Sequence, residues 1–421
     1  MTARPPLPEL REEKRISLVY ANIPFCKYRC RFCCFCRKFG PGLLALGKWR
    51  TQYLAALKKE IAIKGLFFSL KHDVALRAVN FGGGTPTLLE AEEILEFLHH
   101  ILSAFPKAET SGFEVSVEAT PDSLSPAKLS ELNAGGFTRI SIGAQTFSQK
   151  IMAGLDRRHS VAAFYKAYGW AREAGFENIN IDLLYLFPGQ TRRELASDLE
   201  TAVKLAPEHI SPSPLIELDN ALFRPQKGRR PKPAATKLAW VRYVHEFLED
   251  HGYRAYYHKY FSRPGKESRT ELVYFYDVPY VGVGAGATSW REKNENAIPR
   301  YVANPATRGF FTRKTPFNPA KGIVSMLLFP EGIHIASFDR KYGCDLEAIL
   351  LGSGKEPDYF ENLTAMPDEA VRKARLDWKE LVETLRRWKA RRILEKSGGF
   401  LRIMPGARFS RETWGLYMSE V

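Results

Sequence analysis

Short runs rich in β-branched and aromatic residues alternate with longer amphipathic stretches through the first half of the chain. The runs at residues 17–23, 78–81, 113–118, 139–143 and 178–183, with a weaker one at 209–218, have the length and composition of strands. Between them, residues 49–65, 90–105, 126–134, 161–174 and 194–205 repeat apolar side chains at helical spacing. Boundary signals agree: Ser160 and Thr191 stand before helical stretches and Gly175 after one. Regular strand-helix alternation predicts a parallel sheet with helices outside it. Six such units predict an α/β fold, a partial (β/α)6 version of the eight-unit strand-helix barrel.

Beyond the sixth unit the pattern loosens. Residues 224–233, rich in Pro and Arg, read as a linker, a helix is expected near 236–251, and the glycines of 280–287 predict a tight turn beside the barrel. Residues 324–421 read as mostly helical, a small domain of winged-helix-like character. The expected division is an N-terminal extension (1–16), the barrel (17–225), a connecting and barrel-completing segment (226–320) and the C-terminal domain (321–421).

Composition adds a setting. With 421 residues, 45% of them hydrophobic, the chain can bury a sizeable core. Residues 1–15 hold no apolar run to serve as a signal or anchor, and clustered free cysteines suit a reducing compartment, so a cytoplasmic protein is expected. Sixty-two basic against forty-seven acidic residues, a formal charge of +15, favour anionic partners: substrate carboxylates or a membrane surface in peripheral contact. The aromatic-rich basic motifs of RNA-binding folds are absent, so no nucleic-acid partner is expected.

Five of the six cysteines fall within residues 26–36, with Cys26, Cys30 and Cys33 spaced Cys-x-x-x-Cys-x-x-Cys. Thiolates suit iron-sulfur clusters, and three in one loop leave an iron of a 4Fe-4S cluster open to a small molecule. A zinc knuckle would call for a second, distant group of Cys or His ligands. The run Tyr20-x-x-Ile23-Pro24-Phe25-Cys26-x-x-x-Cys30-x-Phe32-Cys33 resembles the cluster loop of radical S-adenosylmethionine (SAM) enzymes, most closely the branch of oxygen-independent coproporphyrinogen III oxidase, the HemN-like branch. The resemblance spans about residues 17–290. Gly82-Gly83-Gly84-Thr85-Pro86-Thr87, Glu118, Gln145, Arg157, Asp182 and the run from Ile181 to Thr191 follow in the family's order.

The resemblance implies a 4Fe-4S cluster held by Cys26, Cys30 and Cys33, and two SAM molecules. Tyr20, Gly83, Glu118 and Thr288 match contacts to the cluster-bound SAM; Phe32, Gly84, Thr85, Gln145, Arg157, Asp182 and Ile216 match contacts to the second. Tyr20 and Glu118 are the expected catalytic residues, Tyr20 as a proton relay. A reducing partner such as flavodoxin or ferredoxin goes with the cluster. Three positions depart from the branch. Asn22 replaces a His, Phe35 stands between Cys34 and Cys36 where the oxidases have a cysteine, and Thr270-Glu271-Leu272-Val273-Tyr274-Phe275 replaces the His-Asn-x-x-Tyr-Trp of related heme chaperones. By elimination these departures direct the expectation to a class C radical SAM methyltransferase, methylating an sp2 carbon of a planar, apolar or anionic substrate such as a menaquinone-like quinone, a tetrapyrrole or a heterocycle. A tetrapyrrole-modifying oxidoreductase and a non-catalytic heme carrier are the alternatives.

Overall fold

The computed structural model describes residues 10–11, 13–33, 47–106, 112–215, 233–290, 292–294, 312–314, 327, 332–354, 368–404 and 407. Its first six strands are β1 (Ile16–Ile23), β2 (Val74–Gly83), β3 (Glu114–Ala119), β4 (Arg139–Gln145), β5 (Ile179–Tyr185) and β6 (His209–Pro214). They lie side by side in sequence order, each parallel to the next. The helices between them include α1 (Gly47–Lys71), α2 (Ala91–Ala104), α3 (Pro126–Ala134), α4 (Gln149–Gly154), α5 (Val161–Glu173) and α6 (Arg192–Lys204). Because strand order never reverses, right-handed crossovers place every connecting helix on the same face of the sheet.

Period-2 alternation then sorts the strand residues. Val19, Ala21, Val79, Phe81, Val117, Ile140, Ile142, Ile181 and Ile210 turn toward the helices and share one core with Tyr53, Leu57, Ile94, Phe97, Leu129, Phe164 and Leu199. The intervening positions, among them Tyr20, Asn80, Ser116, Glu118, Ser141, Asn180, Asp182 and His209, turn to the other face, where a polar interior forms. Caps appear where the sequence places them: the Ser160 hydroxyl accepts from the Ala163 N–H at 3.0 Å, Thr191 forms a reciprocal cap with Glu194, and Gly175 takes φ +94°.

Further chain extends this sheet on both sides. After α7 (Ala234–Asp250), β7 (Arg254–Tyr257) and β8 (Tyr260–Ser262) form an antiparallel hairpin on β6, and past α8 (Arg269–Phe275), β9 (Tyr280–Val283) pairs parallel with β1. The order β7-β8-β6-β5-β4-β3-β2-β1-β9 leaves the sheet open, so the barrel is incomplete. The expected glycine turn at 280–287 is thus half strand: four residues carry too little pattern to read, and pairing with β1 decides them. The turn itself survives as Gly284 and Gly286, both at positive φ.

A second core joins Leu18 and Ala78 on the inner face to Tyr257, Leu272 and Val273, and onward to Ile333, Phe338, Trp378, Leu385, Trp388 and Leu401. The C-terminal region is not only helical. Helices Ile335–Tyr342, Leu346–Leu351 and Asp368–Ala390 pack with an antiparallel sheet of Ile333–His334, Phe400–Ile403 and Leu394–Ser397. Among the described residues no helix is long and apolar enough to cross a membrane. The linker expected at 224–233 lies outside the described residues except for Pro233, and Ile216, Cys34 and Cys36 lie outside them too.

Candidate functional site

Parallel strands in one order bring all their C-terminal ends to one rim, and the cysteine loop leaves β1 there. Three neighbouring strand ends hold it. Next to β2, the Gly84 N–H donates to the Ile23 carbonyl at 2.9 Å, and the Cys26 Sγ and Thr85 Oγ1 lie 3.8 Å apart. Beyond β3, Asp122 accepts from the Tyr28 hydroxyl and pairs with the Lys27 ammonium, each at 3.2 Å. Beyond β4, the Arg31 N–H donates to the Leu155 carbonyl at 3.0 Å and Arg157 Nη1 donates to Cys30 Sγ at 3.3 Å. Phe32 packs on Leu155, Phe187 and Leu215.

Burial pushes the Cys30 thiol up and the Arg157 guanidinium pulls it down, while Cys33 and Cys26 both lie near enough to act on it. Among the described residues no three His, Cys, Asp or Glu side chains gather where a single metal ion would sit. A multi-iron cluster, with each thiolate on a different iron, asks instead for thiols spread along a loop. The donor set and the adjoining cation fit an iron-sulfur group held by Cys26, Cys30 and Cys33.

The glycine run beside the loop is required by its neighbours. A Cβ on Gly82 would come within 2.7 Å of the Tyr20 hydroxyl and overlap the Glu118 carboxylate, so Tyr20, Gly82 and Glu118 converge. Gly83, at φ +106°, donates its N–H to Glu118 Oε2 at 3.2 Å. Burial, with Asp182 nearby, pushes the Glu118 carboxyl up to about 7, against the pull of the Gly83 N–H and the Asn80 amide. Burial and the Glu118 charge likewise push the Tyr20 phenol well up. A buried carboxyl held this way is a ready partner for a cationic amine.

A second group forms at the ends of β4 and β5. A Cβ on Gly143 would lie 2.6 Å from Arg157 Nη2 and 2.8 Å from the Gln145 side-chain nitrogen, and Gln145 itself sits at φ +69° beside a register shift. Arg157 also donates to the Gly143 carbonyl at 2.9 Å and to His159 Nε2 at 3.0 Å, while burial and the guanidinium drop His159 to about 4, keeping it an acceptor. Asp182 accepts from Ser141 at 2.9 Å and from Asn180 at 2.7 Å, and burial pushes its carboxyl up. Thr288 is exposed, its backbone against Gly282 on β9, and is not drawn into either group.

Asn22, singled out as a departure, and three residues the sequence did not single out, Tyr53, Glu60 and Lys64, brace the rim. Asn22, in the position of the family's His, donates its amide to the Ala285 carbonyl, and the Tyr53 hydroxyl donates to the Asn22 carbonyl at 2.9 Å. On α1 the buried pair Glu60 and Lys64 reaches β9 and its turn, Glu60 accepting from the Gly284 N–H at 3.0 Å and Lys64 donating to the Gly282 carbonyl at 2.7 Å. Two charges four residues apart on a helix would have been the only signal in the sequence.

A family model of the radical SAM superfamily matches residues 23–202. The heme chaperone HemW of Bacillus subtilis is 32% identical over 343 residues, covering 79% of this chain and 88% of that protein. HemW of Lactococcus lactis is 30% identical over 344 residues, 78% of this chain and 86% of its own length. Among solved structures, coproporphyrinogen III oxidase (HemN) of Escherichia coli aligns with a TM-score of 0.69 over 98% of this chain and 93% of its own, at 20% identity, a likeness of fold. These relatives overturn the methyltransferase expectation and its menaquinone-like substrate, because proteins matching most of the chain are named heme chaperones. The elimination behind that expectation rests on Asn22, Phe35 and the stretch from Thr270 to Phe275. There the Thr270 N–H and hydroxyl both donate to Glu114, at 3.2 and 3.1 Å, so the residue is part of the N-terminal turn of α8 that this carboxylate holds from within the fold. The chain belongs to the radical SAM superfamily, in the HemN-like branch that includes the heme chaperone HemW and coproporphyrinogen oxidase-like proteins, a membership that implies a 4Fe-4S cluster and SAM.

Proposed function

We propose that this chain is a heme chaperone, a protein that binds heme and passes it on without turning it over, and that it works in the cytoplasm. The observation carrying the reading is the 32% identity to a HemW protein over 343 residues, which extends through the barrel and beyond it. Cys26, Cys30 and Cys33 would hold the cluster, whose chemistry when bound is to place one iron, open to SAM, in reach of reduction. Tyr20, Gly83 and Glu118 would hold the SAM beside it, and Phe32, Gly84, Thr85, Gln145, Arg157 and Asp182 would contact a second.

Heme brings propionates, and the +15 charge supports their capture as well as contact with an anionic membrane surface. Flavodoxin or ferredoxin is the kind of donor that would set the cluster's state. Thr270 is committed to Glu114, and His258 is buried with its ring 4.5 Å from that of Tyr257, so neither offers an exposed imidazole. Heme ligation in this chain therefore departs from the His-Asn-x-x-Tyr-Trp pattern. Titrating the anaerobically reconstituted protein with hemin should give saturable, stoichiometric Soret changes, and holoprotein should release heme to apomyoglobin. Incubation with SAM and dithionite should yield no multiple-turnover deoxyadenosine or S-adenosylhomocysteine. Catalytic formation of either, or unsaturable heme uptake, would refute the reading.

A further inference from the structure

Behind Asp182 the polar interior holds a line of hydrogen bonds whose direction can be worked out atom by atom. Asp182 accepts at both oxygens, from Asn180 Nδ2 at 2.7 Å and from the Ser141 hydroxyl at 2.9 Å. Asn180 Nδ2 also donates to Ser141 Oγ at 2.6 Å, so its Oδ1 must face the other way, where it accepts from the Ser211 hydroxyl at 2.9 Å and meets His209 Nδ1 at 2.6 Å. An amide oxygen can only accept, so His209 Nδ1 carries a proton. His209 is fully buried, and burial together with the Arg139 charge holds its imidazole well below the usual range, hence neutral. With Nδ1 protonated, Nε2 is bare, and the Tyr256 hydroxyl 2.8 Å away donates to it. The Tyr256 oxygen in turn accepts from the Ser268 N–H at 3.3 Å.

The line runs across β5 and β6 to the hairpin strand β7, and Asn180, His209, Ser211 and Tyr256 are all buried. Two donors, His209 and Ser211, point at one oxygen of Asn180. Turning the amide over would set its NH2 against both and its oxygen against the Asp182 carboxylate. The amide therefore has one orientation, and it presents a donor to Asp182.

Resting on the assignment of Asp182 to SAM made above, we propose that His209, as its Nδ1–H tautomer, is a positioning residue for SAM binding: it locks the Asn180 amide, which aims the Asp182 carboxylate at the rim. The Asn180 oxygen fixes the tautomer, and Tyr256 satisfies the bare Nε2. The inference predicts that a residue at the start of β6, which touches no ligand, controls affinity at the strand ends.

Two measurements test it. Nitrogen-15 NMR of histidine-labelled protein, with His209 assigned by substitution, should show a protonated Nδ1 and a bare Nε2; an Nε2–H or doubly protonated ring would overturn the proposal. SAM affinity of the anaerobically reconstituted protein should fall roughly tenfold in His209→Leu, the scale of one lost hydrogen bond. His209→Gln, which keeps an N–H for Asn180, should recover most of it. Wild-type affinity in His209→Leu alongside weakened binding in Asp182→Asn would overturn the positioning role alone. Wild-type affinity in Asp182→Asn would sink the assignment of Asp182 to SAM, and the inference with it. Should His209→Leu fail to fold, Tyr256→Phe, which removes the donor to Nε2 and the acceptor of the Ser268 N–H, takes its place, with a loss of SAM affinity expected and wild-type affinity overturning the positioning role.

Discussion

Replacing Glu118 by Gln isolates the cost of keeping a carboxyl at the rim. In the fold this group titrates at about 7, against 4.5 for an ordinary glutamate, because burial and the nearby Asp182 disfavour its charge more than Gly83 and Asn80 favour it. Between those values the folded protein holds a proton that the unfolded chain has released. Stability from this group is therefore full below about pH 4.5 and is lost as pH rises through about 7. At about 1.4 kcal/mol per pH unit, the interval amounts to ~3 kcal/mol. Gln keeps the shape and cannot ionise, so the stability of Glu118→Gln relative to wild type should rise by about that amount between pH 4.5 and pH 8. Urea unfolding followed by tryptophan fluorescence across that range measures the difference; parallel pH profiles for the two proteins would refute the argument. The same group should register ligand binding. The ammonium of SAM beside Glu118 would favour the carboxylate, so binding near pH 6 should release close to one proton in wild type and none in the variant. Calorimetry in buffers of different ionisation enthalpy reads that proton directly.

Gly83→Ala should destabilise the protein by about 1–3 kcal/mol through backbone strain alone, since Gly83 sits at φ +106° and the added Cβ would strike the Asn22 amide, with a lower midpoint in thermal unfolding as the readout. Lys64→Met leaves the fully buried Glu60 without its counter-charge, a loss of about 3–5 kcal/mol that Glu60→Gln in the same chain should partly restore, as urea titration would show. Arg157→Gln removes the cation that donates to Cys30, so after reconstitution the cluster should be harder to reduce, a downward shift that an EPR-monitored redox titration measures. An unchanged potential would mean that Arg157 turns away from the thiolate once the cluster is in place.

Much of the site was legible because its requirements are local. The cysteine spacing, the glycine run after β2 and the carboxylates near the ends of β3 and β5 each lie within a few residues of a recognisable strand, and strands in sequence order deliver their ends to one rim. The C-terminal sheet and the β7–β8 hairpin were not legible, since strands of two to four residues are defined by their partners. The functional class was misread because the departures at Asn22, Phe35 and 270–275 are a few local positions, whereas the likeness to heme chaperones is spread over 343 residues.

By itself, the sequence determined the order of strands and helices, the cluster loop and the family, because strand length, caps and thiol spacing are short-range constraints written into neighbouring residues. Only the tertiary structure decided what surrounds them. Asp182 is oriented from His209 and Tyr256, the turn after β9 is braced by Glu60 and Lys64 of α1, and the Cys30 thiol meets Arg157. Each of these pairs joins residues far apart in the chain, and the desolvated interior that makes their hydrogen bonds and charges count exists only after the sheet has formed.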